Sequence, residues 1–382
     1  MSNAARLDLN ARARISAVAA AAPVVDARAA AAAQQTVSRW PGYAPTALHS
    51  LSGWARGLDV ASLTVKHEGS RFGVGSFKAL GPPYALAREI DRRRAAGAAG
   101  PFTAVAATSG NHGRALAWGA KRIGCTARIF MPAHTSAGRE AAIRARGAQV
   151  VRVPGDFTAA LDAAIAEAAK DDHILVADVP FAGRDDVARD TVAGYSVLGG
   201  EILDQCRGAL PTHIFVAAGI GSLVAAIVAR LRLALGRAGP KVIAVEPLSS
   251  DTVRRSIAAG EPVAIAGEAR SLMDGLVVDV VSPVVWPILR DGLDAALAIA
   301  DDQALATLRD AARGAHGDAP LEIGETGIAA LAGAVLAARD PSLRAALGIG
   351  PESRVLAVAC EGVTDRAVFD TLVRGDAAGA VA

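Results

Sequence analysis

"FTAVAATSGNHGRALAWGAKRIG", Phe102 to Gly124, holds two patterns end to end. Phe102 to Ala107 is a nearly unbroken run of small and β-branched apolar side chains, which reads as a strand buried on both faces. From Asn111 onward the apolar positions take helical spacing. A buried strand running straight into a helix is half of a strand–helix–strand unit, and such units build parallel sheets.

The same cadence extends both ways. Upstream, "SLTVKHE" reads as a strand and "SFKALGPPYALAREIDRRRAAG" as the start of an apolar helix. Downstream come the strand "TARIFMPA", the helix "SAGREAAIRARGA", the strand "QVVRVPG", the helix "TAALDAAIAEAAKDD" and the strand "HILVADV". Past Tyr195 follow "HIFVAAG", a helix from Gly221 to Leu235, "KVIAVEP" and "RVLAVACEG". At 382 residues the chain exceeds the roughly 250–300 residues at which a single core stops growing. The expectation is therefore an α/β protein with two open, mostly parallel sheet domains and helices on both faces. Residues 1–80 with 201–382 form the larger domain, and residues 81–200 form a smaller one inserted within it.

Composition narrows the class. Hydrophobic residues make up 52% and charged ones 20%, with a mean hydropathy of +0.31, so a packed globular core is expected rather than disorder. Forty basic against 38 acidic residues leave a net charge of +2 with no basic tract, which argues against nucleic acid as a partner. The three cysteines, Cys125, Cys206 and Cys360, have neither paired nor metal-like spacing, as in a reduced cytoplasmic protein without structural zinc. "ISAVAAAAPVVDARAAAAA" is interrupted by Asp26 and Arg28 and reads as a helical lead-in, not a signal peptide or membrane span.

Three places carry chemistry. In "RFGVGSFKALGPPYALARE" Lys78 stands between apolar neighbours where a glycine-rich segment becomes helix-like. Partial desolvation there lowers a lysine's pKa and frees its amine to form a Schiff base; a lysine at a helix start with its head in water is the plainer alternative. In "AAGIGSLVAAI" Gly219, Gly221 and Ser222 join a strand to a helix, and their N–H groups and hydroxyl suit a phosphate. The same loop also fits a dinucleotide site or tight packing alone. In "TSGNHG" Ser109, Gly110, Asn111 and His112 offer donors for a substrate carboxylate at a helix start, or a cap by Asn111. His67, His134, His173 and His213 have no partner spacing and are assigned to structure, while His316 and Asp318 are placed at the substrate entrance.

"GSFKALG", "TSGNHGRALAWGAKRIG", "MPAHTSAGREAAIRARGAQVVRV" and "AAGIGSL" occur in the order seen in fold-type II pyridoxal-phosphate enzymes, which this chain resembles. "WPGYAPTALHSL", "VEPLSSDTV", "SLMDGL", "SPVVWPILRDG", "HGDAPLEIGETGIAAL" and "ACEGVTD" are similar to the diaminopropionate ammonia-lyase family within that group. The resemblance implies pyridoxal 5'-phosphate as cofactor, bound by the larger domain with the active site in the cleft between the two domains, and Lys78 as its Schiff-base residue and the base for the substrate α-proton. It sets Asn111 beside the cofactor's phenolic oxygen, Gly219 to Leu223 at its phosphate and Cys360 at its pyridine nitrogen. Asp178 matches an aspartate tied to amine recognition and L-isomer chemistry, and Glu325 with Thr326 matches a substrate-side Glu-Ser pair. The family usually has aspartate where this chain has Ser109, and that aspartate serves the D-enantiomer.

The activity so implied is α,β-elimination (ammonia-lyase type) on a β-substituted L-amino acid, as in amino-acid catabolism, by a cytoplasmic homodimer without nucleic acid or membrane partners. A hydroxy-amino-acid dehydratase is the alternative, because the Ser-Gly-Asn-His loop is also theirs; a non-catalytic protein of this fold is another. A nucleotide-binding dehydrogenase would need an acid on the strand after the glycine loop, and Glu246 is the candidate.

Overall fold

The computed structural model describes residues 4–14, 17–21, 23–108, 110–177, 185–267 and 269–375. Eleven strands form two sheets among these residues. They are β1 (Arg6–Leu9), β2 (Leu48–Ser50), β3 (Ser62–His67), β4 (Thr103–Ala107), β5 (Thr126–Pro132), β6 (Gln149–Val153), β7 (His173–Leu175), β8 (His213–Ala217), β9 (Lys241–Pro247), β10 (Ala295–Ile299) and β11 (Arg354–Ala359).

The four-stranded sheet, ordered β6-β5-β4-β7, is parallel throughout. The seven-stranded sheet is ordered β1-β10-β9-β8-β11-β3-β2, parallel except at its two edges, where β1 and β2 run antiparallel to their neighbours. The expected α/β class with two mostly parallel sheets is what the chain adopts.

β4 shows why both faces are covered. Alternate side chains point to opposite sides of a strand, and here Ala104 and Ala106 join one apolar cluster while Val105 joins another. The first contains Ala85, Leu86 and Ile90 from the helix Gly81–Ala95 and Leu116 from the helix Asn111–Ile123; the second contains Ala160 and Ala164 from the helix Phe157–Glu167. Unbroken burial along β8 and β10 puts the larger sheet in the same situation. Val224, Ile227 and Leu231 of the helix Ser222–Leu235 pack in its core with Leu331 and Val335 of the helix Ile328–Arg339.

The helix Asp185–Gln205 ties the two bodies together. Val187 belongs to the smaller core, whereas Val192, Leu198 and Ile202 belong to the larger. It crosses the start of the helix Gly81–Ala95 so closely that a Cβ at Gly194 would lie 2.5 Å from the Leu80 carbonyl oxygen. Farther along it, Glu201 meets Lys66 at 2.6 Å and Arg71 at 2.7 Å, and Arg71 also holds Glu68 at 2.8 Å, all four buried.

The structure adds to the sequence reading in several places. β1, β2 and β10 are strands that the alternation of patterns does not reveal. β10 reads "AALAI", and alanine favours helix unless tertiary pairing overrides it. The helix expected from Ser76 begins at Gly81, where Pro82 and Pro83 suit the first turn, leaving Lys78 on a separate 3-10 turn, Phe77–Ala79. Among the described residues no helix is long and apolar enough to cross a membrane.

Candidate active site

Ligands of open α/β sheets bind outside the carboxyl ends of the parallel strands. β11 ends at Ala359, and the next residues, Cys360 to Gly362, run antiparallel to the segment that carries Lys78. Phe77 N donates to Cys360 O (2.9 Å), Gly362 N donates to Gly75 O (3.0 Å), and Ser76 bridges Glu361. The lysine turn is thereby pinned to the strand end. Lys78 is half-buried, its Nζ 5.4 Å from the centroid of the Phe77 ring and 6.0 Å from that of Tyr195. The Cys360 thiol is buried, and desolvation, with the Glu361 charge adding to it, pushes its pKa well above the ordinary range; Lys78 opposes the shift. The thiol is neutral at physiological pH.

The glycine loop sits at the end of β8 and opens the helix Ser222–Leu235. Gly221, its N-cap, has φ +92°, a left-handed conformation that favours glycine, and a Cβ there would lie 2.6 Å from Leu289 Cδ1. No side chain caps that helix, so its leading N–H groups face outward with the positive end of the helix dipole behind them.

From the smaller sheet, β4 leads to Asn111 at the start of its helix. Asn111 Nδ2 donates a short hydrogen bond to Glu361 Oε2, and Arg114 Nη2 donates to Asn111 Oδ1 at 2.6 Å. Asn111 and Glu361 are therefore where the two sheets meet. Gly110 N donates to Thr108 Oγ1, and His112 Nε2 donates to the Val176 carbonyl at 2.6 Å, which fixes its proton on that nitrogen and ties the helix start to the end of β7. Thr326 N donates to Glu361 Oε1 (3.1 Å), and Thr326 Oγ1 accepts from Gly275 N. Glu325 is 4% exposed with no hydrogen bond to its Oε2; Arg139 Nη2 stands 3.6 Å from its Oε1. Burial, then the charge of Glu361, raises the Glu325 pKa to about 7. Ser109 and Asp178 lie outside the described residues.

Three sequence readings change. Asp318 accepts from Gly53 N (2.9 Å) and Trp54 N (3.0 Å), and His316 packs edge-on against the Trp54 ring at 4.7 Å. That pair secures the start of the helix Ser52–Gly57. Glu246, fully buried, accepts from Val253 N and Arg254 N at the head of the helix Thr252–Ala259 and faces no ribose site, so the dehydrogenase reading loses its acid. Glu361, Arg114 and Arg139, which line the junction, were given no role from sequence. An acid directly after the apolar strand "RVLAVAC" and an arginine one helical turn after Asn111 were the available signals.

These features define a class: a two-sheet α/β enzyme with a lysine and an uncapped helix start at the carboxyl ends of its strands. The chain belongs to the pyridoxal-phosphate dependent enzymes, whose family model matches residues 39–361. It is 29% identical to diaminopropionate ammonia-lyase of Escherichia coli (strain K12) over 362 residues, 90% of each chain. To phenylserine dehydratase of Ralstonia pickettii it is 32% identical over 235 residues, 62% of this chain and 66% of that one. The crystal structure of the Escherichia coli ammonia-lyase in complex with an aminoacrylate-PLP azomethine reaction intermediate superimposes with a TM-score of 0.88 at 26% identity, covering 98% of both chains. The cofactor is pyridoxal phosphate, and the chain is a lyase of the elimination type. The residues present fit that group: an uncapped helix start for its phosphate, and a Ser76 hydroxyl, fully buried beside the lysine turn, with no hydrogen-bond partner.

Proposed function

We propose that this protein catalyses α,β-elimination on a β-substituted L-amino acid such as 2,3-diaminopropionate, giving a 2-oxo acid and ammonia. The observation that carries the reading is the placement of Lys78 against Cys360 at the end of β11, in a chain whose ammonia-lyase relative it matches along 90% of its length. Lys78 holds pyridoxal phosphate, and Gly219, Ile220, Gly221, Ser222 and Leu223 hold its phosphate through N–H groups and a hydroxyl.

Bound pyridoxal phosphate supplies an electron sink for the carbanion at the substrate Cα. Lys78 would take the Cα proton at Nζ, and the Phe77 and Tyr195 rings beside it limit the water that reaches it. The neutral thiol of Cys360 adds no positive charge at the pyridine nitrogen, which suits elimination over transamination. Asn111 orients the cofactor's phenolic oxygen. Ser109, Gly110, His112, Glu325 and Thr326 form the substrate side, with Asp178 at the substrate amine. The smaller domain, 81–200, closes the cleft against residues 1–80 and 201–382, and the working form is a cytoplasmic homodimer.

A hydroxy-amino-acid dehydratase is the second reading, favoured by the likeness to phenylserine dehydratase and by Ser109. Release of 2-oxo acid from diaminopropionate, serine, threonine and phenylserine, each as L- and D-isomer, separates the two. Fastest turnover of L-diaminopropionate supports the ammonia-lyase; faster turnover of a hydroxy amino acid replaces it with the dehydratase, and no release from any sinks both.

A further inference from the structure

Glu325 and Glu361 place two carboxyl groups in one buried site, 4% and 2% exposed, at the junction of the two sheets. Glu361 is fully engaged: Oε2 accepts from Asn111 Nδ2, and Oε1 accepts from Thr326 N. Glu325 Oε2 has no hydrogen-bond partner. The chain next to Glu325 closes on Glu361, since a Cβ on Gly324 would lie 2.8 Å from Glu361 Oε1. Like charges so confined cannot both ionise cheaply, and the pair retains a proton that two exposed carboxylates would have lost.

The surroundings set how much charge remains. Arg114, from the helix Asn111–Ile123, and Arg139, from the helix Ala137–Arg144, act on both acids, and Arg139 also binds Asp274 at 2.8 Å. Arg146 repels Arg114, and Glu361 and Lys78 act in opposite senses on the neutral Cys360. Burial raises the pKa of Glu361, with the Asn111 bond opposing, and raises that of Glu325 to about 7. Burial and mutual repulsion favour a retained proton on the pair, while the two guanidinium groups offset part of that cost and keep a negative charge on it.

We propose that Glu361, with Glu325 as the like charge that limits how far the two acids ionise together, is the positioning residue for Asn111. Glu361 accepts from the Asn111 amide while Arg114 donates to its oxygen, so the carboxamide is gripped at both ends and its nitrogen is turned to the strand-end side of the cleft. The single negative charge sits one residue from Cys360 and one hydrogen bond from Asn111. This rests on the proposed place of Asn111 beside the cofactor; the pairing of the acids does not.

The experiment compares wild type with Glu325→Gln, Glu361→Gln, Asn111→Ala and the double variant Glu361→Gln/Asn111→Ala. The first readout is the thermal midpoint of cofactor-free protein from pH 5 to 8. A carboxyl whose folded pKa is raised contributes stability that is full below its ordinary range and lost as pH climbs through the folded value. The wild-type midpoint should fall over this range more steeply than that of Glu325→Gln, by about one proton in the linkage slope. Glu246 contributes equally to both and cancels. The second readout is retention and visible absorbance of pyridoxal phosphate: Glu361→Gln should weaken retention about tenfold and move the pH response of the band to lower pH, and the loss should vanish in the Asn111→Ala background. Equal slopes in wild type and Glu325→Gln overturn the pair. Additive losses in the double variant, or an unmoved band with only a lowered midpoint, overturn the positioning role. A wild-type chain that retains no pyridoxal phosphate removes the function and the Asn111 role together, while the slope comparison still decides the pair.

Discussion

Lys78 owes its setting to backbone, not to its own side chain. The bonds from Phe77 N to Cys360 O and from Gly362 N to Gly75 O hold its turn at the end of β11, and the Phe77 and Tyr195 rings, 4.7 Å apart, stand beside the amine. Borohydride reduction should label wild type at Lys78, and Lys78→Ala should lose that label; label at another lysine, found by peptide mapping, would refute the assignment. Gly221→Val meets two obstacles, a left-handed φ and Leu289 at 2.6 Å. Equilibrium dialysis should show pyridoxal phosphate retention falling by at least tenfold if about 1.4 kcal/mol of phosphate binding is lost, and unchanged retention would move the phosphate elsewhere. If Ser109 stands where the resemblance sets an aspartate that acts as base for D-substrates, D-diaminopropionate should be turned over far more slowly than the L-isomer. Comparable rates would refute that role.

Among elements, the helix Thr252–Ala259 is started by a side chain from β9. Glu246 accepts two of its leading N–H groups, as an N-cap would, yet burial outweighs those bonds and the helix dipole and lifts its pKa to about 8. The acid is held neutral in the folded chain, so its stabilising effect is complete below the ordinary carboxyl range and is lost as pH rises to about 8. Glu246→Gln should flatten the decline of the urea midpoint between pH 5 and 8. Glu246→Ala should cost about 1–3 kcal/mol at any pH, because two buried N–H groups lose their acceptor. A pH dependence that survives Glu246→Gln unchanged would show that the acid ionises freely.

Across the whole molecule, the buried group of Lys66, Glu68, Arg71 and Glu201 anchors the connecting helix Asp185–Gln205 to β3 and to the stretch leading into the Lys78 turn. Four charges out of water are tolerable only while each is matched. Glu201→Leu leaves Lys66 without its ion pair and Arg71 with Glu68 alone, and denaturant titration should show a loss of about 3–5 kcal/mol; a loss within about 0.5 kcal/mol would mean the network is solvated or replaceable. Arg139, from the smaller sheet's side, reaches Asp274 and Glu325, so charge as well as the Asn111 bond joins the sides of the two sheets.

What the sequence determined by itself is whatever depends on local pattern. Unbroken apolar runs followed by helical spacing marked eight of the strands as members of parallel sheets; the glycine loop stood out by residue type at a strand end, and Lys78 stood out where a glycine-rich segment becomes helix-like, though its separate turn did not. β10 escaped because five alanine-rich residues become a strand only when β9 and β1 pair with them, and β1 and β2 are short edge strands. The site was legible as separate motifs, not as an assembly. Nothing in "ACEG" or "GETG" reveals that Glu361 and Glu325 share one dry pocket, that Glu361 grips Asn111 from the other sheet, or that Asp318 and Glu246 turn their carboxyl groups to helix starts. Those facts depend on which groups a distant chain segment shields from water, and desolvation and pairing over such separations are decided only when the two sheets close on each other.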